Sequence, residues 1–259
     1  MRTRVAHLPD RSVRYLETGS GPALILLHAF PLSADQWLPQ LVKPEPGWRV
    51  VAPDLRGFRG SGPAFAGPPL DGMTIDRHAQ DTFELMTHLE IDRATIGGLS
   101  MGGYVALAMV RQAPNRVSGL ILSNTRATAD TPEGREGRAR MLLRIASDGP
   151  AGVARDMLPK LLSAATHRDQ PDLVETVRGL IEMNSAEGLA SAVAALRDRP
   201  DATPTLGTIA CKTTIICGSE DTITPVSDSE AMARAIPGAR LIVIPGAAHL
   251  SNLEGQWWV

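Results

Sequence analysis

Residues 94–108 read ATIGGLSMGGYVALA. The first six form a short apolar run of the kind that makes a buried strand, and MGGYVALAMVRQA from residue 101 has a helical pattern. Between them lies Gly98-Leu99-Ser100-Met101-Gly102, a G-x-S-x-G sequence followed by Gly103. A serine on a sharp strand-to-helix turn is held in strained backbone geometry with its hydroxyl presented. Small residues two before and two after let the neighbouring chain pass close. The helix start also aims backbone N–H groups and a positive dipole at developing negative charge. The plain structural alternative is a glycine-rich turn that only packs helix on strand. A nucleotide loop is disfavoured, because neither G-x-x-x-x-G-K-[ST] nor G-x-G-x-x-G can be written over these residues. The strand before and the helix after make Ser100 the candidate nucleophile.

Outward from this turn, short apolar runs alternate with amphipathic stretches. ALILLHAF (23–30), RVVAPD (49–54), GLILSN (119–124), TTIICG (213–218) and ARLIVIP (239–245) resemble strands buried on both faces of a parallel sheet. VRYLET (13–18) alternates and suits an antiparallel edge. Helical patterns lie at 74–90, 101–113 and 227–236. The order predicts an α/β fold with a mostly parallel sheet and helices on both faces. Residues 127–208 break the alternation with four helical patterns, 132–148, 150–163, 171–184 and 186–198, punctuated by Gly149-Pro150, Pro171 and Pro200. The expected organisation is a core of 1–126 and 209–259 with an all-helical cap, 127–208, over the carboxyl ends of the strands.

Composition narrows the partners. The chain of 259 residues carries 26 Lys plus Arg against 28 Asp plus Glu, a net charge of −2, which argues against nucleic acid. Hydrophobic residues are 43% and charged residues 21%, an ordinary globular mixture. MRTRVAHLPD lacks an apolar signal-peptide core, and no run approaches the ~20 apolar residues of a membrane span, so a cytoplasmic protein without a membrane partner is expected. Cys211 and Cys217 flank one apolar run; on a strand they stand roughly 20 Å apart, too far for a disulfide. No Cys/His spacing resembles a zinc site.

A serine hydroxyl needs a base at neutral pH. Of six histidines, His78 and His88 fall in one amphipathic helix and are expected at the surface; His167 is expected in a polar loop, and His7 lies near the N-terminus. His28 ends a central strand and suits a structural role. His249 follows the run LIVIP and a small-residue loop, which makes it the candidate base. The orienting carboxylate is Asp221, in GSEDTITP after TTIICG, with Glu220 as competitor. The alternative position, after GLILSN, holds Asn124, which has no charge to offer. For an oxyanion, the donors are the backbone N–H groups of Met101, next to the serine, and of Phe30, after ALILL; Pro31 has no N–H.

With these residues in view, the chain resembles the α/β-hydrolases over most of its length. LLHAFPLSADQW is similar to the family's oxyanion segment and DLRGFRGSG to the loop after its next strand. GGLSMGGYVALA, GSEDTITP and PGAAHLSNLE resemble its nucleophile, acid and histidine segments. LSNTRATADTPEGR and DMLPKLL resemble the small capped carboxylesterases, which are also similar to 3-oxoadipate enol-lactonases. The resemblance implies Ser100, Asp221 and His249 as triad, Phe30 and Met101 as oxyanion donors, and no cofactor. Three residues or segments depart from it: Ala29 replaces a usual Gly, Arg59 a small or polar residue, and only ten residues follow His249.

The expected function is a carboxylesterase acting on small to medium esters through an acyl-enzyme. Its rivals are an enol-lactonase, whose anionic substrate one well-placed cation such as Arg126 would serve, a perhydrolase suggested by Pro31, and a ligand receptor on a retained hydrolase fold. A haloalkane dehalogenase is disfavoured, because the turn carries Ser rather than Asp. Met141, Met157 and Met183 would favour an adaptable apolar site if they face it. At the short C-terminus, Ser251 or Asn252 is expected to cap a helix of at most about two turns. Trp257 and Trp258 are expected either to fold back over ARLIVIP or to dock on a second copy in a homodimer.

Overall fold

A computed structural model describes residues 1–44, 46–59 and 72–255. Eight strands form one sheet: β1 (Arg2–Leu8), β2 (Arg11–Gly19), β3 (Ala23–Leu27), β4 (Arg49–Pro53), β5 (Ala94–Leu99), β6 (Val117–Ser123), β7 (Lys212–Gly218) and β8 (Arg240–Ile244). Their order is β1-β2-β4-β3-β5-β6-β7-β8. Pairing is parallel from β4 through β8 and antiparallel at β1–β2 and β2–β4. The helices are α1 (Leu38–Val42), α2 (Ile75–His88), α3 (Met101–Gln112), α4 (Pro132–Leu161), α5 (Ala164–Asp169), α6 (Pro171–Glu182), α7 (Ala186–Arg197), α8 (Thr203–Leu206), α9 (Val226–Ala235) and α10 (Ser251–Glu254).

The continuous apolar runs fill the middle of the sheet. All five residues of β3 are buried, as are Ile96 and Leu99 of β5, so strands covered on both faces need no polar alternation. Helix α3 packs against β3, β5 and β6, and α9 against β7 and β8. Helices α4 to α8 lie in sequence between β6 and β7, and α4 and α7 pack together. Helix α4 runs through both expected helices 132–148 and 150–163, interrupted at Gly149, whose φ of 61° breaks the helical path before Pro150.

Several expectations are corrected. VRYLET is antiparallel but internal; the edge is β1, joined to β2 by a tight turn at Pro9-Asp10. Strand β1 is held by its ladder, with Ala6 its one buried residue, so it lacks an alternating signal. His78 is buried (1% exposed), turned inward on α2, whereas His88 is exposed. His167 lies in α5, its Nε2 3.0 Å from the Leu158 carbonyl. Strand β8 is an outer edge that leaves Val243 39% exposed, so its apolar sequence is not fully covered. Helix α10 begins at Ser251 without a side-chain cap: Ser251 instead bonds Asn124, and Asn252 donates to the Gln36 carbonyl at 3.0 Å. Trp257 and Trp258, and residues 60–62 of DLRGFRGSG, lie outside the described residues. Both cysteines are free thiols, and no helix among the described residues is long and apolar enough to cross a membrane.

Candidate active site

Ser100 occupies the turn between β5 and α3 with φ 54° and ψ −110°. A side chain in that region is strained, and its persistence needs surroundings that over-determine it. Here the Ser100 N–H donates to the Ser123 carbonyl at 2.9 Å, and the Thr125 hydroxyl donates to the Ser100 carbonyl at 2.9 Å. The two flanking glycines are required by contact. A Cβ on Gly98 would stand 2.1 Å from the Gly102 carbonyl oxygen, and one on Gly102 would stand 2.1 Å from that of Leu27.

His249 and Asp221 come together from the loops after β8 and β7. The Nδ1–H of His249 donates to Asp221 Oδ2 at 2.8 Å, and both side chains are buried. The same oxygen accepts from Asn124 Nδ2 at 2.8 Å and the Thr224 hydroxyl at 2.7 Å; Oδ1 accepts from the backbone N–H groups of Ile223 (2.8 Å) and Thr224 (3.0 Å). Burial alone would raise the Asp221 pKa. The facing His249 and the hydrogen bonds from His249, Asn124 and Thr224 outweigh it and hold the carboxyl well below its usual range. The competitor Glu220 is exposed.

The segment that follows β3 is braced by buried polar groups. His28 donates from Nδ1 to the Ala29 carbonyl at 3.0 Å, and its Nε2 accepts the Leu55 N–H at 3.0 Å, which fixes the neutral tautomer. Burial lowers its pKa, as a structural histidine requires. The Ala29 N–H donates to Gln36 Oε1 at 2.8 Å; Ala29 keeps negative φ, so its Cβ is tolerated where Gly is usual. The Phe30–Pro31 peptide is cis, in a turn closed by Leu32 N–H on the Ala29 carbonyl. Among the described residues, the N–H groups of Phe30 and Met101 donate to no other protein group.

Phe30, Ser100 and His249 line one cavity of about 260 Å³. Its far walls carry Met141 and Met157 of α4, with Arg126, Asp130 and Arg138. Met183 stays outside, half exposed, its sulfur 3.3 Å from the Arg59 guanidinium. Asp130 is paired with Arg138 at 3.0 Å and Arg199 at 2.6 Å. Burial raises its pKa, but the two guanidinium groups outweigh this and keep it ionised. Arg126 lies 3.3 Å from Asp228 and also donates to the Ile223 carbonyl. Among the described residues, no cluster of His, Cys, Asp or Glu is placed to hold a metal ion.

Sequence reasoning missed three polar residues. Asn124, set aside for lacking charge, donates to both Asp221 and the Ala248 carbonyl, thereby joining the acid to the histidine loop. Glu254 accepts the Ala248 N–H at 2.7 Å and, with its other oxygen, the Ser163 N–H at 2.7 Å. Asn184 reaches the Pro31 carbonyl. A polar residue at a strand end was the available signal for Asn124; the other two bond across long sequence separations and left none.

A model of the α/β hydrolase fold matches residues 22–256. The chain belongs to the α/β-hydrolase fold family. A thermophilic esterase from Thermogutta terrifontis, solved with malate bound, is 37% identical with a TM-score of 0.90, covering 98% of this chain and 93% of its own. The enol-lactonase from Burkholderia xenovorans LB400 is 27% identical with a TM-score of 0.87, covering 97% and 94%. 3-Oxoadipate enol-lactonase 2 of Acinetobacter baylyi is 28% identical over 247 residues, covering 95% of this chain and 89% of that protein. This α/β-hydrolase therefore shares its whole frame with proteins named for ester and lactone hydrolysis.

Proposed function

We propose that this α/β-hydrolase is a serine carboxylesterase working through an acyl-enzyme. The observation that carries the reading is the 2.8 Å bond from His249 to Asp221 on a histidine that shares its cavity with Ser100. With Nδ1 committed to the carboxylate, Nε2 is left unprotonated and takes the Ser100 proton as the oxygen attacks the ester carbonyl. Met101 and Phe30 N–H groups receive the oxyanion, each contributing about 3 kcal/mol. Protonated His249 then hands the proton to the leaving alcohol. Water, deprotonated by the same ring, releases the acid and restores Ser100. The chemistry needs no cofactor. Residues 127–208 act as a cap that supplies the Met141 and Met157 wall, and the substrate is a small molecule met in the cytoplasm.

One observation favours a lactonase as the second reading. Two guanidinium groups, Arg126 and Arg138, line the cavity, each already ion-paired, with Asp228 and Asp130 respectively, so either serves a substrate carboxylate by exchanging its present partner. The relatives named enol-lactonases and the malate-bound esterase support that direction. A panel of 4-nitrophenyl esters from acetate to decanoate, with one carboxylated enol-lactone, separates the readings. Turnover of about 1–1000 per second on the esters marks an esterase, preference for the lactone marks a lactonase, and turnover far below that range on all of them marks a receptor. Ser100→Ala should leave less than about 1% of activity in either enzyme.

A further inference from the structure

We propose that Asn184, a residue of the helical insertion, is a positioning residue for the Phe30 oxyanion donor; this rests on the site reading above. Asn184 is buried (4% exposed) in the turn between α6 and α7. Its Nδ2 donates to the Pro31 carbonyl at 2.9 Å, and also faces the Leu180 carbonyl at 3.0 Å. Its Oδ1 accepts the Arg59 N–H at 3.0 Å. A backbone N–H can only donate, so this bond fixes which end of the amide faces Pro31.

Phe30 is thus held from both sides. The preceding residue is tied to the core by Ala29 N–H on Gln36, and the following residue is tied to the insertion by the Pro31 carbonyl on Asn184. A second, independent contact presses the same turn onto the core: a Cβ on Gly188 would stand 1.8 Å from the Gly57 carbonyl oxygen, so the start of α7 lies directly on backbone 57–59. Arg59, which departs from the family pattern, fits here. Its positive φ of 40° turns its N–H to Asn184 while its guanidinium pairs with Asp35. An oxyanion donor acts only if it is already in place when charge develops, so releasing the Pro31 carbonyl should weaken the transition state more than the bound substrate.

The test uses the full chain with 4-nitrophenyl acetate, reading kcat and KM separately for wild type, Asn184→Ala and Asn184→Asp. The Asp variant is isosteric, keeps an acceptor for Arg59 N–H and loses the donor to Pro31, so it carries the comparison if the Ala variant does not fold. Inhibition by an alkylboronic acid, which forms a tetrahedral adduct on the serine, is measured beside that by the matching carboxamide. We expect kcat to fall about 10- to 100-fold in both variants, with KM within about twofold. The boronate constant should weaken by a similar factor and the carboxamide constant should not change. Loss of thermal stability with kcat intact, or a rise in KM alone, would overturn the inference and leave Asn184 a seat for the insertion. Wild-type turnover that vanishes in Ser100→Ala but survives in both Asn184 variants sinks this inference alone; absence of wild-type turnover sinks the site reading and this inference with it.

Discussion

Replacing Asp221 by Asn keeps the shape of the side chain and removes one acceptor, and the bonding around it sets the cost. Five donors converge on the carboxylate, three on Oδ2 and two backbone N–H groups on Oδ1. An amide offers one acceptor oxygen. The Ile223 and Thr224 N–H groups cannot turn away, so the amide oxygen is expected to stay with them and its NH2 to face His249. The ring must then accept at Nδ1 and carry its proton on Nε2, where it can no longer take one from Ser100. This tautomer error costs about 10⁴ in kcat in serine hydrolases, about 5.5 kcal/mol at 1.36 kcal/mol per decade. The assay is steady-state hydrolysis of 4-nitrophenyl acetate, with Glu220→Gln as the partner variant, expected within twofold of wild type because Glu220 is exposed. An Asp221→Asn enzyme within tenfold of wild type, or a larger loss in Glu220→Gln, would refute the assignment of the acid.

Other outcomes follow from the same geometry. The depressed Asp221 pKa stabilises the fold above the ordinary carboxylate range, and that contribution is lost as pH falls below about 4 toward its folded value. Urea midpoints measured from pH 7 to pH 3 should therefore fall less in Asp221→Asn than in wild type; identical slopes would contradict the linkage. Gly102→Ala should destabilise by about 1–3 kcal/mol or more, because its Cβ meets the Leu27 carbonyl at 2.1 Å, and an unchanged denaturation midpoint would show that α3 can back away from β3 freely.

How much of this was legible in the sequence depends on the kind of signal. β3 and β5 were plain because strands covered on both faces are written as unbroken apolar runs between turn residues. The turn at Ser100 was plain because only glycines fit where Gly98 and Gly102 sit. Strand β1 was invisible, since an edge strand held by main-chain hydrogen bonds needs no apolar pattern. His78 was misplaced because a histidine on an amphipathic helix gives no indication of which face it joins. Asn124 was undervalued because charge was sought where hydrogen bonding mattered: its amide holds both Asp221 and Ala248. Glu254 and Asn184 join the insertion to the two halves of the site across long stretches of chain, and such pairings belong to tertiary structure alone.

The central claim is that Ser100 becomes covalently acylated. It is tested most directly by peptide mass spectrometry of the full chain after reaction with a 4-nitrophenyl phosphonate ester, which leaves a stable adduct on an activated serine. The account predicts one adduct, on the peptide containing Ser100, formed in step with loss of esterase activity and absent from Ser100→Ala. Full inactivation with the adduct on another residue, or sustained ester hydrolysis with Ser100 replaced, would contradict it.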